Sequence, residues 1–349
     1  MNTSGNNVTA AVQHQPLVAV VVPVFNAAEY LTDTVLSIFS QTYPNWQLLL
    51  IDDCSTDASL NICENFASGE SRITVLRNEK NLGPAHTRNR GIDYAVTYGA
   101  KYVSFVDSDD TVTPDYLEKL VLAAEQTNAD IVWCNYWECN ATDSARKSLM
   151  QHHLPCGTPL DGKRPLALFF NGPTGLGSLW DKLYGVEFVT RTGIRINPER
   201  VRAEDWEFNL MLFQQHPRVV PIADALYNYV HHPHPSVMSS YRTQDYELFW
   251  RSRQLLEEMA TANGLVYDKE KENATILYHI VNHLLILSKA ANVADKRAEL
   301  MNIANDARLH ELLDGGEWRY KDLPHSFKCV VFLLKHHYSW LLRLYLGIR

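Results

Sequence analysis

The sequence lacks the patterns that mark several common protein classes. It has no run of about 18 apolar residues, the length that a membrane-spanning helix needs. Its six cysteines form neither a C-x-x-C pair nor a zinc-binding spacing, so we expect buried thiols in a reducing cytosol. A net charge of −8 gives no electrostatic support for a nucleic-acid partner. Neither G-x-G-x-x-G nor G-x-x-x-x-G-K-S/T follows the first apolar run, which argues against dinucleotide oxidoreductases and P-loop enzymes.

The composition that is present is that of an ordinary globular protein. The 349 residues are 46% hydrophobic and 21% charged, which suffices for one large domain and a smaller one. Residues 1–16 are polar and lack the charged start and apolar core of a signal peptide. We therefore expect a disordered tail there and a cytoplasmic protein.

Apolar runs alternate with helix-period patterns through residues 17–137. The apolar runs fall at 17–25, 46–51, 73–76, 102–106 and 130–137, and the segments between them repeat apolar residues at helical spacing. This alternation predicts an α/β fold with a mostly parallel sheet flanked by helices. In such sheets, ligands bind at the carboxyl ends of the strands.

Two of these apolar runs end directly in carboxylates. One runs into Asp52-Asp53-Cys54-Ser55-Thr56-Asp57, and another stops at Asp107-Ser108-Asp109-Asp110. Clustered like charges favour a bound cation, and carboxylate oxygens on a turn suit Mg²⁺ or Mn²⁺. The alternative is that these acids are solvated or cap helices, as Ser55 and Asp57 are placed to do before the next helix. If the two strands are parallel, both acidic groups lie at one edge of the sheet.

The ordered set of motifs resembles the family 2 glycosyltransferases of the GT-A fold. The set comprises Pro23-Val24-Phe25-Asn26, the acidic run from Asp52, Asn81-Leu82-Gly83-Pro84-Ala85 with Arg88, and the acidic run from Asp107. The resemblance covers about 17–137. It implies an inverting enzyme that uses a nucleotide-sugar donor, usually a UDP-sugar, with a divalent metal.

The resemblance also implies roles for individual residues. Asp53 matches the residue that hydrogen-bonds uracil, and Asp109 matches the direct metal ligand, with Asp107 nearer the ribose. Arg88 matches a position near the base or diphosphate, although it could instead pair with Asp52 or Asp53. The other residues implied on the donor side are Pro23, Phe25, Asn26, Ser108, Lys182, His231 and His232.

Three later motifs extend the resemblance. Trp180-Asp181-Lys182-Leu183-Tyr184 resembles a segment under the acceptor side, where Trp180 is either core or a platform for a sugar. Glu204-Asp205 opens a helical pattern. Acids in the first turn of a helix interact favourably with the helix dipole, which is the structural alternative to a chemical role. The resemblance instead makes Asp205 the catalytic base, with Glu204 as the alternative. His231 and His232 lie in a segment, 227–241, that resembles one closing over the donor diphosphate.

The rest of the chain is predicted to be helical. Helix-period faces at 248–262, 274–291 and 295–313 predict a bundle that could hold acceptor or homo-oligomer contacts. Residues 320–349 carry five Lys/Arg against one acid. A basic amphipathic helix at 323–349 is therefore expected to contact an anionic membrane surface, with docking on the bundle as the alternative.

These observations combine into one functional prediction. The chain is divided into a tail at 1–16, a catalytic domain at 17–242, a helical bundle at 243–322 and a basic helical tail at 323–349. We expect a metal-dependent, inverting transfer of a sugar from a UDP-sugar to a hydroxyl of a glycan or lipid-linked acceptor of a surface polysaccharide. The alternatives are a nucleotidyltransferase, which should carry a basic phosphate loop after its first strand, and a non-catalytic nucleotide-sugar- or glycan-binding protein.

Overall fold

The computed structural model describes residues 15–171, 176–200, 202–233, 241–315 and 325–348. The predicted N-terminal tail lies outside this range apart from its last two residues. Residues 234–240 of the segment predicted to close over the donor and the predicted boundary at 322 also lie outside it.

One mixed sheet of nine strands organises the described part of residues 17–242, the predicted catalytic domain. Its order is β3-β2-β1-β4-β8-β6-β9-β5, and β7 pairs with β6 as a hairpin. The first four strands in this order are parallel, and β8 enters antiparallel between β4 and β6. The strands are β1 (Val18–Val24), β2 (Trp46–Asp52), β3 (Ile73–Arg77), β4 (Tyr102–Phe105), β5 (Thr111–Val112), β6 (Ile131–Asn140), β7 (Asp143–Met150), β8 (Lys182–Gly185) and β9 (Val219–His231).

Helices cover both faces of this sheet, as the alternating pattern predicts. Residues of β1 alternate between two apolar cores, with Val20 and Val22 in one core and Ala19 and Val21 in the other. Because both faces are buried, the strand is apolar throughout instead of alternating with polar residues. The helices of the catalytic domain are α1 (Leu31–Phe39), α2 (Ser59–Gly69), α3 (Pro84–Thr97), α4 (Tyr116–Thr127), α5 (Arg164–Asn171), α6 (Val186–Thr192) and α7 (Glu204–Phe213).

Helix α3 packs especially closely on the sheet. A Cβ built on Gly91 would lie 2.4 Å from Cγ1 of Val21 on β1, so only glycine fits there without a shift. The close approach fixes α3 against the centre of the sheet. Because Arg88 lies one turn earlier on the same helix, its position relative to the strand ends is fixed as well.

The C-terminal helices enclose a third apolar core. Each of the last two predicted helical segments is interrupted: 295–313 divides near Asn305, and the tail divides at residues 336–338, where His337 has φ +56°. Phe327, Val330, Val331 and Leu334 of the tail are buried in this core, so the tail docks on the bundle through one face. The helices are α8 (Gln244–Asn263), α9 (Lys269–Lys289), α10 (Lys296–Ala304), α11 (Ala307–Asp314), α12 (His325–Lys335) and α13 (Ser339–Tyr345).

All six cysteines are free thiols. Cys63, Cys134 and Cys139 are buried as expected. The expectation is wrong for Cys156, which is exposed in the loop after β7, and only partly right for Cys54 and Cys329. No helix in the described part of the chain has the length and apolar character needed to cross a membrane.

Candidate active site

The acidic ends of β2 and β4 lie at the same edge of the sheet. Both strands run parallel to β1, which separates them, and Val18 pairs with Trp46 on one side and Tyr102 on the other. The backbone of Asp53 continues this pairing, because its N–H donates to the carbonyl of Val24 at 2.8 Å. The predicted placement of the two carboxylate groups at one edge of the sheet is therefore confirmed.

Asp53 organises the loop that precedes α3. Its Oδ1 accepts from Nδ2 of Asn78 at 2.7 Å and from the amide of Leu82 at 2.9 Å, and its Oδ2 accepts from the amide of Gly83 at 2.7 Å. Only 4% of the residue is exposed. The loop is therefore held on the Asp53 carboxylate, which places α3 beside the cleft.

The neighbouring polar residues connect the ends of β1 and β2. Asp57 accepts from the amide of Ser59, the first residue of α2, but the N-cap position itself is Ala58, so neither Ser55 nor Asp57 is the N-cap. Asn26 donates its amide N–H to Oγ of Ser55, and its side-chain oxygen accepts from the amide of Thr56. Next to it, Phe25 is 46% exposed beyond the end of β1. The ring of Phe25 is thus exposed to solvent, and the hydrogen bonds of Asn26 hold the backbone beside it.

Arg88 joins two acidic motifs that are far apart in the sequence. Its Nη2 lies 2.7 Å from Oδ1 of Asp107, and its Nη1 lies 3.1 Å from Oε1 of Glu204. Only 10% of the Arg88 side chain is exposed. Burial alone would lower the pKa of Arg88, but the charges of Asp107 and Glu204 outweigh it and raise that pKa. The alternative pairing of Arg88 with Asp52 or Asp53 is wrong, because Nη1 and Nη2 of Arg88 contact Glu204 and Asp107 instead.

Asp205 lies beside this ion-pair network at the start of α7. Burial, followed by the charge of Glu204, raises the pKa of Asp205 to about 6, and the charge of Arg88 opposes that rise. Its Oδ1 accepts from the amide of Trp206 at 2.8 Å. A carboxylate with this pKa is ionised at neutral pH and is a stronger base than an ordinary aspartate, which suits proton abstraction.

The acidic run after β4 divides into a buried and an exposed part. Asp110 is 1% exposed, and its oxygens accept from the hydroxyl of Tyr227 and the amide of Val230, both at 2.7 Å. Asp109 instead is exposed. The surrounding protein, followed by the charge of Asp107, raises the pKa of Asp109, as expected for carboxylates that repel one another. Asp110 therefore anchors the turn, and Asp109 faces outward from it.

Tyr227 and Asp110 are site residues that the sequence analysis missed. The Tyr227 hydroxyl also accepts from the amide of Asp107 at 3.1 Å, so one side chain fixes both ends of the acidic turn. Tyr227 lies inside the long strand β9, and only its alternation with Tyr229 distinguishes it in the sequence. That pattern is also expected of a half-buried strand.

The predicted histidine pair divides between two environments. His232 accompanies the acidic turn: its Nε2 lies 2.9 Å from the carbonyl oxygen of Asp109, and its ring lies 3.8 Å from that of Tyr30. His231 turns away, and its Nε2 is 3.7 Å from Oε2 of Glu138 on β6. The rest of the predicted closing segment, 234–240, lies outside the described residues.

Two other predicted residues lie within the packed sheet. Lys182 is fully buried, and its ammonium group contacts Oδ1 of Asp181 at 2.6 Å and the carbonyl of Ser178 at 2.7 Å. The structure therefore does not bring Lys182 to the carboxylate cluster. Trp180 is half-buried and stacks on Tyr227 at 4.5 Å between ring centroids, which favours packing as its role.

Pro23 and Ser108 complete the predicted set. Pro23 pairs with Ile51 in the register of β1 and β2, at the strand ends that border the cleft. The carbonyl of Ser108 accepts from Oγ1 of Thr34 at 3.0 Å, which ties the acidic turn to α1. Both residues therefore shape the cleft through their backbones.

The carboxylates fit a divalent cation that is shared with a ligand. Among the described residues, no three His, Cys, Asp or Glu side chains are grouped to hold a metal by themselves. Mg²⁺ and similar ions, however, are often held by one or two carboxylates, with phosphate oxygens and water supplying the rest. Asp109, with Asp107 beside it, provides such a partial donor set.

Comparison with known proteins identifies relatives of this chain. Residues 19–178 match the family model described as glycosyl transferase family 2. TuaG of Bacillus subtilis, named as a candidate teichuronic acid biosynthesis glycosyltransferase, is 41% identical over 105 residues, which are 30% of this chain and 40% of TuaG. The chain thus spans about two fifths of the length of such curated relatives.

Two further similarities extend along nearly the whole chain. EpsJ of Bacillus subtilis, named an uncharacterized glycosyltransferase, is 25% identical over 335 residues, 95% of each protein. The crystal structure of Staphylococcus aureus TarS 1–349 in complex with UDP-GlcNAc superposes with a TM-score of 0.60 at 19% identity, over 95% of this chain and 90% of TarS 1–349. At this identity the likeness to TarS shows the fold. Residues 19–178 of this chain therefore match glycosyl transferase family 2, and the chain has the GT-A fold.

Proposed function

We propose that this protein is an inverting glycosyltransferase that moves a sugar from a UDP-sugar to a hydroxyl of a glycan or lipid-linked acceptor. The observation that carries the proposal is the network of Asp107, Arg88 and Glu204, which joins the strand-end carboxylates to the helix that bears Asp205. The match of residues 19–178 to glycosyl transferase family 2 supports glycosyl transfer. The TarS complexes with UDP and UDP-GlcNAc support the donor class, and the name of TuaG supports a role in surface polysaccharide synthesis.

The donor occupies the edge of the sheet formed by β1, β2 and β4. Phe25 and the backbone of Pro23 line the nucleoside pocket, and Oδ2 of Asp53 accepts from the uracil ring. That oxygen accepts a single N–H, from Gly83, among the described contacts, and a carboxylate oxygen has capacity for a second hydrogen bond. His232 lies on the outer side of the acidic turn, where it can contact a phosphate.

Asp205 acts as the base of the transfer. It removes the proton of the acceptor hydroxyl as that oxygen attacks the anomeric carbon, and the bond from that carbon to the diphosphate breaks on the opposite side. Arg88 holds Glu204 and Asp107 in place. Asp109, with Asp107, would hold Mg²⁺ or Mn²⁺, which supplies charge neutralisation for the diphosphate leaving group.

A screen of UDP-sugars tests this proposal. Release of UDP is measured with Mg²⁺, with Mn²⁺ and with EDTA, and sugar transfer is measured on simple glycoside acceptors. We expect metal-dependent turnover of at least one donor. Turnover that is equal in EDTA would contradict the role of Asp109. Nucleotidyl transfer would instead release pyrophosphate from a nucleoside triphosphate and a sugar phosphate.

The variant Asp205→Asn separates binding from catalysis. It should bind UDP about as tightly as the wild type, while transfer falls about 10²–10⁴-fold, because the general base is lost. Asp93→Asn is the matched control, since Asp93 is an exposed residue of α3 that pairs with Arg195. Equal transfer by Asp205→Asn and wild type would refute the assignment of the base. A non-catalytic binding protein would bind UDP in both forms and transfer nothing.

We further propose that the tail contacts an anionic membrane surface through the face that is not packed against the bundle. Phe332, Trp340 and Leu344 are 53%, 62% and 61% exposed there, in a segment that includes Lys335 and Arg343. No acidic residue occurs from 323 to 349. Exposed aromatic side chains with basic neighbours favour the interface of anionic bilayers.

Vesicle binding tests this contact. The protein should sediment with phosphatidylglycerol-containing vesicles but not with pure phosphatidylcholine, and less at high salt. Replacing both Trp340 and Leu344 with Ser should abolish sedimentation, whereas Val266→Ser, at another exposed apolar residue, should not. Sedimentation by the double variant at the wild-type level would contradict the proposal.

A further inference from the structure

A partly open cavity of about 430 Å³ lies between the sheet-bearing part of the chain and the first two helices of the bundle. Its walls come from α5, the start of α7, α8 and α9. Representative lining residues are Phe169, Trp206, Leu248, Phe249, Ile276 and His283. Its volume falls in the range of pockets that bind small molecules, about 300–1,000 Å³.

The lining is largely apolar, and its charged side chains are three basic and two acidic ones, namely Arg200, Arg202, Lys271, Asp245 and Glu272. The Arg202 guanidinium lies 2.6 Å from the carboxylate of Asp245, and Arg200 lies 3.7 Å from Glu207, which is outside the lining. The opposite charges therefore largely offset one another and give little attraction for an ionic ligand. The cavity therefore favours a neutral molecule with a large apolar part.

His283 provides a polar group within this apolar lining. The residue is 2% exposed, and its Nε2 has no hydrogen-bond partner among the described residues. Its ring stacks on Tyr241 at 4.4 Å and meets the edge of Phe249. Burial, with a contribution from the charge of Arg202, lowers the pKa of His283 to about 4, so the ring is neutral at pH 7. A buried neutral imidazole nitrogen is satisfied by a hydroxyl or a carbonyl group.

The cavity adjoins the motif that carries the proposed base. Ala203 and Trp206, which both line it, flank Glu204 and Asp205 directly in the sequence. A molecule held in the cavity therefore lies next to the first turn of α7. The donor edge of the sheet is built from other elements, namely β1, β2 and the turn after β4.

We propose that this cavity binds the apolar part of a neutral lipid-type acceptor, with a hydroxyl or ester carbonyl of that molecule bonded to Nε2 of His283. The inference rests on the proposed glycosyl transfer and adds the chemical class of the acceptor. It also assigns acceptor binding to the junction of the two domains.

Geraniol and 2,6-dimethyloctane are suitable probes, because they share one branched carbon skeleton and only geraniol carries a hydroxyl group. Isothermal titration calorimetry on the full chain should show binding of geraniol. His283→Phe keeps the aromatic volume and removes the nitrogen, so affinity for geraniol should fall about five- to tenfold, the usual effect of one lost hydrogen bond. Affinity for the hydrocarbon should not fall. An equal affinity for geraniol in this variant and the wild type would refute the role of His283.

A second variant tests the cavity without disturbing buried groups. Thr275 lines the cavity at an exposed position of α9, and its hydroxyl donates only locally, to the carbonyl of Lys271. Thr275→Trp should fill the entrance and weaken both probes at least tenfold. Thr261→Trp is the matched control, because Thr261 is exposed on α8, donates to the carbonyl of Glu257 and does not line the cavity.

The two proposals fail in different ways. Binding of UDP and metal-dependent turnover of UDP-sugar should persist in both cavity variants, because the donor edge is separate. Failure of wild type to bind geraniol, or equal binding by Thr275→Trp, would overturn the cavity proposal and leave the transferase intact. Geraniol binding without any UDP-sugar turnover would instead overturn the transferase proposal.

Discussion

Removing the Arg88 side chain should destabilise the catalytic domain strongly. In Arg88→Met the length and apolar stem are kept, while the guanidinium that pairs with Asp107 and Glu204 is lost. The side chains of Arg88 and Glu204 are 10% and 12% exposed, so water can compensate little for the missing partner. Breaking a buried ion pair in this way costs about 3–5 kcal/mol. The greater exposure of Asp107, 27%, favours the lower part of that range.

Urea unfolding followed by circular dichroism measures this effect. The control is Arg195→Met, which removes a surface pair with Asp93 whose side chains are 35% and 64% exposed, and should cost about 0–1 kcal/mol. Since protonation relieves unpaired carboxylates, the Arg88→Met deficit should be larger near pH 8 than near pH 5. An Arg88→Met deficit no greater than that of Arg195→Met would refute the network as a stabilising feature.

The remaining predictions concern pH dependence and two buried carboxylates. Transfer should fall about tenfold per pH unit below about 6, because Asp205 acts as a base only when ionised. Glu204→Gln should shift this midpoint to lower pH, since the charge of Glu204 raises the pKa of Asp205; an upward shift would contradict the assignment. Tyr227→Phe removes the hydroxyl that donates to Asp110 and should cost about 1.5–3 kcal/mol in urea unfolding. Asp53→Asn places a donor NH₂ group against the loop amides in place of an acceptor oxygen and should lower the free energy of unfolding by a similar amount. An unchanged free energy of unfolding would contradict the role of Asp53 in holding the loop.

The edge of the sheet could be predicted because its signal is local. Each apolar run stops where its carboxylates begin, and helix-period segments separate the runs, so parallel pairing places Asp53 and Asp107 at one edge. Arg88 shows the limit of such reasoning. It lies on α3, and its partner Glu204 is 116 residues away, so no spacing rule connects them.

The sequence pattern also did not predict that the tail divides into two helices, α12 and α13. The turn between α12 and α13 contains no glycine or proline, and it forms at His337 with a positive φ. Leu342 and Leu346, which follow this turn, are buried in the third core together with residues of α12. The turn therefore accompanies packing on the bundle, a tertiary effect that local helix propensity does not report.

The position of β8 has a consequence for how the chain folds during synthesis. This strand fills the gap between β4 and β6 but is made some 40 residues after β6 ends at Asn140. Until Lys182–Gly185 leaves the ribosome, the inner edges of β4 and β6 have no β8 to pair with, and unpaired edges invite association with other chains. A fragment cut where the family match ends, at Ser178, would keep the donor residues through Asp109 yet leave the sheet open at its centre.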